Sequence, residues 1–233
     1  MKIKGLQKTT LIDYPGHVAC TIFLLGCNFR CGFCHNPELV LKDEGRDLTE
    51  KELLDFLYKR KDYLDGICIT GGEPLMTLEK NFLKEIRNIG YKIKIDTNGS
   101  YPDKLREIIN ERLVDFVSMD IKSTKENYKE ITNSKIDVSL IEESIKLVSS
   151  LKDYEFRTTI INEFHTPEEL RKMALWLNDL IKEKPKKFIL QGFKNNGKFI
   201  DPSFKMRENT PEKYLYELQD VVKEYFIETE VRW

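Results

Sequence analysis

Apolar and polar positions along this chain follow two alternating patterns. Short apolar runs are separated by longer stretches whose apolar residues recur every three to four positions. The runs predict strands at 17–26 ("HVACTIFLLG"), 66–70 ("GICIT"), 91–98 ("YKIKIDTN") and 114–121 ("VDFVSMDI"). Three more are predicted at 155–162, 186–193 and 227–233. The periodic stretches predict helices at 49–64, 78–90, 102–113, 139–153, 166–183 and 210–225. Thr49 with Glu52 three residues on reads as a capping box opening the first helix, and Gly90 as the residue closing the second.

Helices of ten or more residues between strands imply right-handed βαβ crossovers and a parallel sheet. Five to six such units fall short of a closed eight-stranded barrel. The expected fold is therefore α/β, a partial (β/α)6 TIM-like barrel with outer helices. No repeat, low-complexity tract or linker interrupts the 233 residues, so a single domain is expected. Residues 1–16 read as an N-terminal extension. The polar segment 192–209 reads as a long loop, either a lid, a binding surface or a mobile tail, or a disordered surface loop.

Composition narrows the function classes. Lys+Arg 38 against Asp+Glu 39 gives no global field, which argues against nucleic acid or an anionic membrane as partner. The longest apolar run, "VACTIFLL" at 18–25, is far shorter than a membrane helix of about 20 residues. The first residues, "MKIKGLQKTTLIDYPG", carry no apolar signal-peptide core, so a cytoplasmic protein is expected. In that reducing setting five cysteines do not suggest a disulfide framework; they are free to bind metal.

Three of the five, Cys27, Cys31 and Cys34, fall in "GCNFRCGFCHN" with spacing C-x3-C-x2-C. Soft thiolates select zinc, copper(I) or iron–sulfur clusters. Structural zinc uses four ligands, commonly in two C-x2-C pairs. His35 could complete such a set, but it adjoins Cys34 and leaves little room for both side chains to face one ion. Cys20 and Cys68 lie within strands and read as small core residues. A [4Fe–4S] cluster held by three thiolates keeps one iron open to a non-protein ligand. The cysteine loop follows one predicted strand, "TGGEP" (70–74) the next, then "DTNG" (96–99) and "MDIKS" (119–123). Loops after strand C-termini carry function in parallel α/β folds, so these four segments are expected on one rim.

"CNFRCGFC" resembles the C-x3-C-x-φ-C signature of the radical S-adenosylmethionine superfamily, with Phe33 as φ, and "GGEP" follows at the expected strand. "LIDYPGHVACTIFLLGCNFRCGFCHNPEL", "DTNG" and "MDIK" resemble the glycyl-radical-enzyme activating branch. The compact length is most similar to the activating proteins of anaerobic ribonucleoside-triphosphate reductase. That resemblance implies a [4Fe–4S] cluster on Cys27, Cys31 and Cys34 with S-adenosylmethionine at the open iron. Reductive cleavage of the sulfonium would give a radical that abstracts hydrogen from a glycine of a partner enzyme. It also implies a flavodoxin- or ferredoxin-type electron donor.

The same resemblance assigns the cofactor's surroundings. Gly71, Gly72 and Glu73, stiffened by Pro74, would grip the methionine amino group. Phe33 would lie against the adenine, Asn98 and Ser100 would hydrogen-bond the cofactor or simply shape the turn, and Lys122 would meet the methionine carboxylate. Asp96, Thr97 and Asp120, with a main-chain carbonyl near Ser118, would hold a monovalent cation; read alone, the aspartates are caps or lysine partners. Arg157 shares a strand face with Thr159 and would bind a carboxylate or pair with an aspartate. His165 and Gln191 are further candidates, and His17 reads as structural. Three other readings stay open. They are activation of pyruvate formate-lyase or another glycyl radical enzyme, radical chemistry on a small metabolite such as a deazapurine precursor, and an electron-carrying or zinc-stabilised module.

Overall fold

The computed structural model describes all 233 residues. β1 (Ile3–Thr10) and β2 (Ala19–Leu24) pair antiparallel, and the cysteine loop leads from β2 to the short α1 (Pro37–Leu41). α2 (Glu50–Arg60), β3 (Gly66–Gly71), α3 (Lys80–Ile89), β4 (Lys92–Thr97), α4 (Pro102–Asn110) and β5 (Phe116–Asp120) follow. After α5 (Tyr128–Thr132) and α6 (Val138–Ser149) come β6 (Tyr154–Ile160), α7 (Pro167–Ile181) and β7 (Lys187–Gly192). α8 (Glu212–Val222) and β8 (Glu228–Arg232) complete the chain. The strands are hydrogen-bonded in chain order, β1 to β8.

Contacts group the chain into two compact units. The first comprises Met1–Asn28, Asn36–Thr97 and Asp103–Val117; the second comprises Phe29–His35, Asn98–Pro102 and Ser118–Trp233. In the first, β2, β3 and β4 are parallel, with Cys20 opposite Ile67 and Cys68 opposite Lys94. They bury Ile22, Leu24, Ile67, Ile69, Ile93 and Ile95 on one face and Thr21, Cys68 and Lys94 on the other, so both faces are covered, as parallel strands require. α2 opens on the expected capping box of Thr49 and Glu52. α3 ends at left-handed Gly90 and buries Phe82, Leu83, Ile86 and Ile89.

In the second unit β6, β7 and β8 are parallel, with Thr159 opposite Gln191. α7 starts at Thr166, whose hydroxyl accepts from the Glu169 amide, and buries Leu170, Met173, Ala174 and Leu177. The last strand is tied back by Arg232, which bonds the buried carboxylate of Glu155 at 3.2 Å.

Two segments named from the sequence take definite form. The segment 1–16 is more than an extension, because residues 3–10 form the edge strand β1. Its side chains alternate polar and apolar only weakly, so periodicity did not reveal it. The segment 192–209 is an ordered loop with a 3-10 turn at Pro202–Met206; it buries Phe199 and Phe204.

Candidate functional site

Each candidate segment stands at the C-terminal end of a strand. In the first unit, β2 runs into Leu24–Cys27 and β3 into the GGEP turn. Gly71 has φ +123°, a backbone open to glycine but rarely to other residues. The Gly72 amide donates to the Leu24 carbonyl at 3.0 Å, and the Glu73 amide to the Gly26 carbonyl at 2.7 Å. A Cβ on Gly72 would overlap the Gly26 carbonyl oxygen and lie 3.3 Å from the Cys27 Cβ. The GGEP turn is thus moulded onto the backbone that delivers the first cysteine.

Glu73 is fully buried, unlike the exposed carboxylate that a plain turn would carry. Its Oε1 accepts from the Leu75 amide at 3.0 Å, capping the 3-10 turn Pro74–Met76, and from the Thr97 hydroxyl at 2.8 Å. On β4, Asp96 shares a face with Lys94, whose side chain is only 2% exposed. The Lys94 ammonium pairs with Asp96 and donates to the Cys68 thiol at 3.6 Å, and that thiol donates to Asp96 at 3.8 Å. Cys68 is buried as expected but sits in a polar cluster rather than among hydrocarbons alone. Cys20 is also buried, and burial pushes its thiol up to about 12.

The second unit holds Phe29–His35, including Cys31 and Cys34. The Cys34 amide donates to the Cys31 carbonyl at 3.1 Å, closing a tight turn, and the Arg30 amide donates to Thr132 at 2.9 Å. The 192–209 loop packs directly on this turn. The Asp201 amide donates to the Gly32 carbonyl at 3.1 Å, and Phe204 lies 6.1 Å from Phe33. His35 is packed between Phe193 and Phe199, at 5.7 and 5.4 Å.

At the end of β5, Asp120 accepts from Arg157 Nε at 2.8 Å on one oxygen and from Lys122 at 2.9 Å on the other. Burial opposes its ionisation, yet the two cations prevail and hold the carboxyl well below the usual carboxylate range. Burial likewise opposes the Lys122 charge, but Asp120 and the Cys31 thiol raise its pKa. Lys122 also stands 5.9 Å over the Phe33 ring. A positive charge is therefore held beside the cysteine turn in this unit.

His165 is fully buried and behind Lys122 rather than at a surface. Its Nδ1 accepts from the Ile161 amide at 3.0 Å, and its Nε2–H faces the Lys122 carbonyl at 3.1 Å. Gln191 and Thr159 are register partners, half-buried on the face that carries Arg157. Asn98 accepts from the Ser100 amide at 2.9 Å and shapes its turn, while Gly99 is held by the Ser144 hydroxyl at 2.7 Å. Ser118 donates to Glu155. His17 packs edge-on to Tyr14 in the first unit, a structural role as expected.

Sequence reasoning missed Lys94 and the aromatic loop. The signal for Lys94 was present in "YKIKIDTN", where two-residue alternation puts it on the face of Asp96. None announced that Phe199 and Phe204 would return to the cysteine turn.

Comparison with known proteins adds independent findings. The profile of the Radical SAM superfamily matches residues 21–177, more than half of the chain. A Methanocaldococcus jannaschii protein with the provisional name glycyl-radical enzyme activating enzyme MJ1227 is 31% identical over 242 residues, spanning 99% of this chain and 95% of that one. The pyruvate formate-lyase-activating enzyme of Clostridium pasteurianum is 35% identical over 138 residues, 56% of this chain and 57% of that protein. The crystal structure of a domain of pyruvate-formate lyase-activating enzyme from Bacteroides vulgatus superposes with TM-score 0.56 at 18% identity, covering 72% of this chain and 99% of that one. The last is a likeness of fold.

Proposed function

We propose that this chain, which belongs to the radical SAM superfamily and its glycyl-radical-enzyme activating family, installs a glycyl radical on anaerobic ribonucleoside-triphosphate reductase. The expected partial (β/α)6 barrel is the fold of that superfamily, and the family's cofactors are S-adenosylmethionine and a [4Fe–4S] cluster. The residues present fit that pair. Three reduced cysteines lie on one loop, and a backbone cradle at Gly71–Gly72, which any Cβ would fill, lies against Cys27. The approach of Gly72 to Cys27 is the observation that carries the reading.

Bound there, the pair supplies one-electron cleavage of a sulfonium C–S bond, the source of a hydrogen-abstracting radical. Cys27, Cys31 and Cys34 would hold the cluster. Gly71, Gly72 and Glu73 would present backbone and carboxylate to the cofactor's ammonium, and Lys122 and Arg157 would face its carboxylate. Phe33 and Asn98 would flank the adenine and ribose. The aromatic loop packed on the Cys31–Cys34 turn would keep water from it. Residues 1–233 would act as one radical SAM domain in the cytoplasm, reduced by a flavodoxin- or ferredoxin-type donor.

The test is made under anoxia with reconstituted protein, S-adenosylmethionine and a reductant. One arm adds anaerobic ribonucleotide reductase, another pyruvate formate-lyase. A glycyl doublet by electron paramagnetic resonance in the first arm alone supports the proposal. A doublet only with pyruvate formate-lyase moves the assignment to that partner, and none in either arm with an intact cluster overturns it.

A further inference from the structure

The fully buried lysine on β4 has no role in the chemistry above. A lysine is rarely buried unless it is paired, because removing an ammonium from water is costly. Lys94 is paired thoroughly. Its ammonium meets the Asp96 carboxylate and the Cys68 thiol at 3.6 Å, and stands 6.0 Å from the Phe116 ring centroid. Strand geometry fixes this arrangement, since Lys94 and Asp96 alternate onto one face and Cys68 is the register partner of Lys94.

Asp96, Thr97 and Asp120 are the three side chains assigned by resemblance to a monovalent cation. Each has a protein partner instead. Asp96 has Lys94, the Thr97 hydroxyl donates to Glu73 at 2.8 Å, and Asp120 is bonded on both oxygens by Arg157 and Lys122. A bare cation at these carboxylates would stand beside an ammonium on Asp96 and beside an ammonium and a guanidinium on Asp120, and these like charges repel it. The donor set does not fit that ion.

We propose that Lys94 is a built-in cation: its tethered ammonium supplies the positive charge beside Asp96, and cofactor binding is independent of potassium or sodium. This rests on the activating-enzyme reading for the cofactor, but the pairing itself does not. A charge carried on the chain has a fixed local concentration, whereas a dissolved ion must be captured from solution.

Two measurements test it, both at constant ionic strength with tetramethylammonium chloride exchanged for potassium or sodium chloride. The first is the melting temperature of the cofactor-free protein. Wild type is expected to melt at the same temperature in all three salts. Lys94→Met is expected to melt lower in tetramethylammonium and to regain part of the loss in potassium or sodium.

The second is S-adenosylmethionine affinity of the reconstituted protein by equilibrium dialysis. Wild type should change less than twofold between salts, while Lys94→Met should lose about tenfold in tetramethylammonium and recover with a small cation. A saturable rise in wild-type melting temperature or affinity with potassium or sodium overturns the proposal, as does a Lys94→Met protein that matches wild type in tetramethylammonium. Should Lys94→Met not fold, Lys94→Arg replaces it and is expected to stay salt-independent; salt dependence there also overturns the proposal. If wild type binds no S-adenosylmethionine in any salt, the activating-enzyme reading fails, while the cofactor-free melting still decides the role of Lys94.

Discussion

Gly72 and Gly26 approach so closely that a single methyl group on the first would overlap the carbonyl oxygen of the second. The Glu73 amide is bonded to that same carbonyl, which ties the two turns together. Gly72→Ala should therefore push the GGEP turn away from Cys27, at about 1–3 kcal/mol of overpacking strain. Urea unfolding should show a lowered midpoint with unchanged slope, and S-adenosylmethionine affinity should fall with it. An alanine variant with wild-type affinity would mean that the cofactor is not held at this turn.

Replacing each cysteine in turn separates ligands from core. Cys27→Ala, Cys31→Ala and Cys34→Ala should each lose cluster assembly, read as iron and acid-labile sulfide per chain. Cys20→Ala and Cys68→Ala should keep the full count. Zinc without sulfide in the wild-type protein would instead point to the zinc-stabilised alternative.

Asp120 stands between two cations, and removing its charge leaves them facing each other. Asp120→Asn should destabilise the protein by about 3 kcal/mol, the range for breaking one side of a buried pair. Arg157→Gln in the same background should restore part of this. A double-mutant cycle with no coupling would show that the two side chains do not share this carboxylate in solution.

The buried imidazole of His165 makes stability depend on pH. Burial, more than any neighbour, lowers its pKa below 6.5, outweighing the hydrogen bond to the Lys122 carbonyl and the nearby Glu169 that act the other way; the Lys122 charge adds to the lowering. The unfolded chain thus takes up a proton first as pH falls. Stability is complete above about pH 6.5 and is lost below it, by up to about 1.4 kcal/mol per unit. His165→Gln keeps an acceptor and a donor and should flatten the slope between pH 6.5 and 5 by about one proton. His35, also lowered by burial, acts in the same direction.

Phe204 joins the 192–209 loop to the cysteine turn through Phe33, Phe164 and Phe193. Phe204→Ala should cost about 3 kcal/mol of packing. It should also admit protease between residues 194 and 209, and loss of iron should accompany the cut. Resistance to cleavage with full iron content would show that the loop holds itself without this ring.

Much of this was legible in the sequence, where the chemistry was local. Apolar runs and capping signals located seven strands and six helices to within a few residues, since burial on both faces leaves little choice of composition. The motif cysteines and GGEP were legible because only thiolates and glycines serve those positions. β1 escaped because an edge strand needs no apolar run. The pairings of Lys94 with Asp96 and of Arg157 with Asp120 were half legible. Alternation puts Lys94 on the face of Asp96 within one strand, whereas Arg157 meets Asp120 only when two strands are brought together by folding. The aromatic loop was illegible because its partners in the cysteine turn, Gly32 and Phe33, lie about 170 residues away, and no local pattern encodes so distant a contact.

That separation has a consequence for biosynthesis. At ribosomal rates of about 5–20 residues per second, Gly32 is made roughly 10–30 s before Asp201, whose amide closes on it. Throughout that interval Cys31 and Cys34 lack the cover of Phe199 and Phe204, so the cysteine turn reaches its final packing only when the last part of the chain has been made.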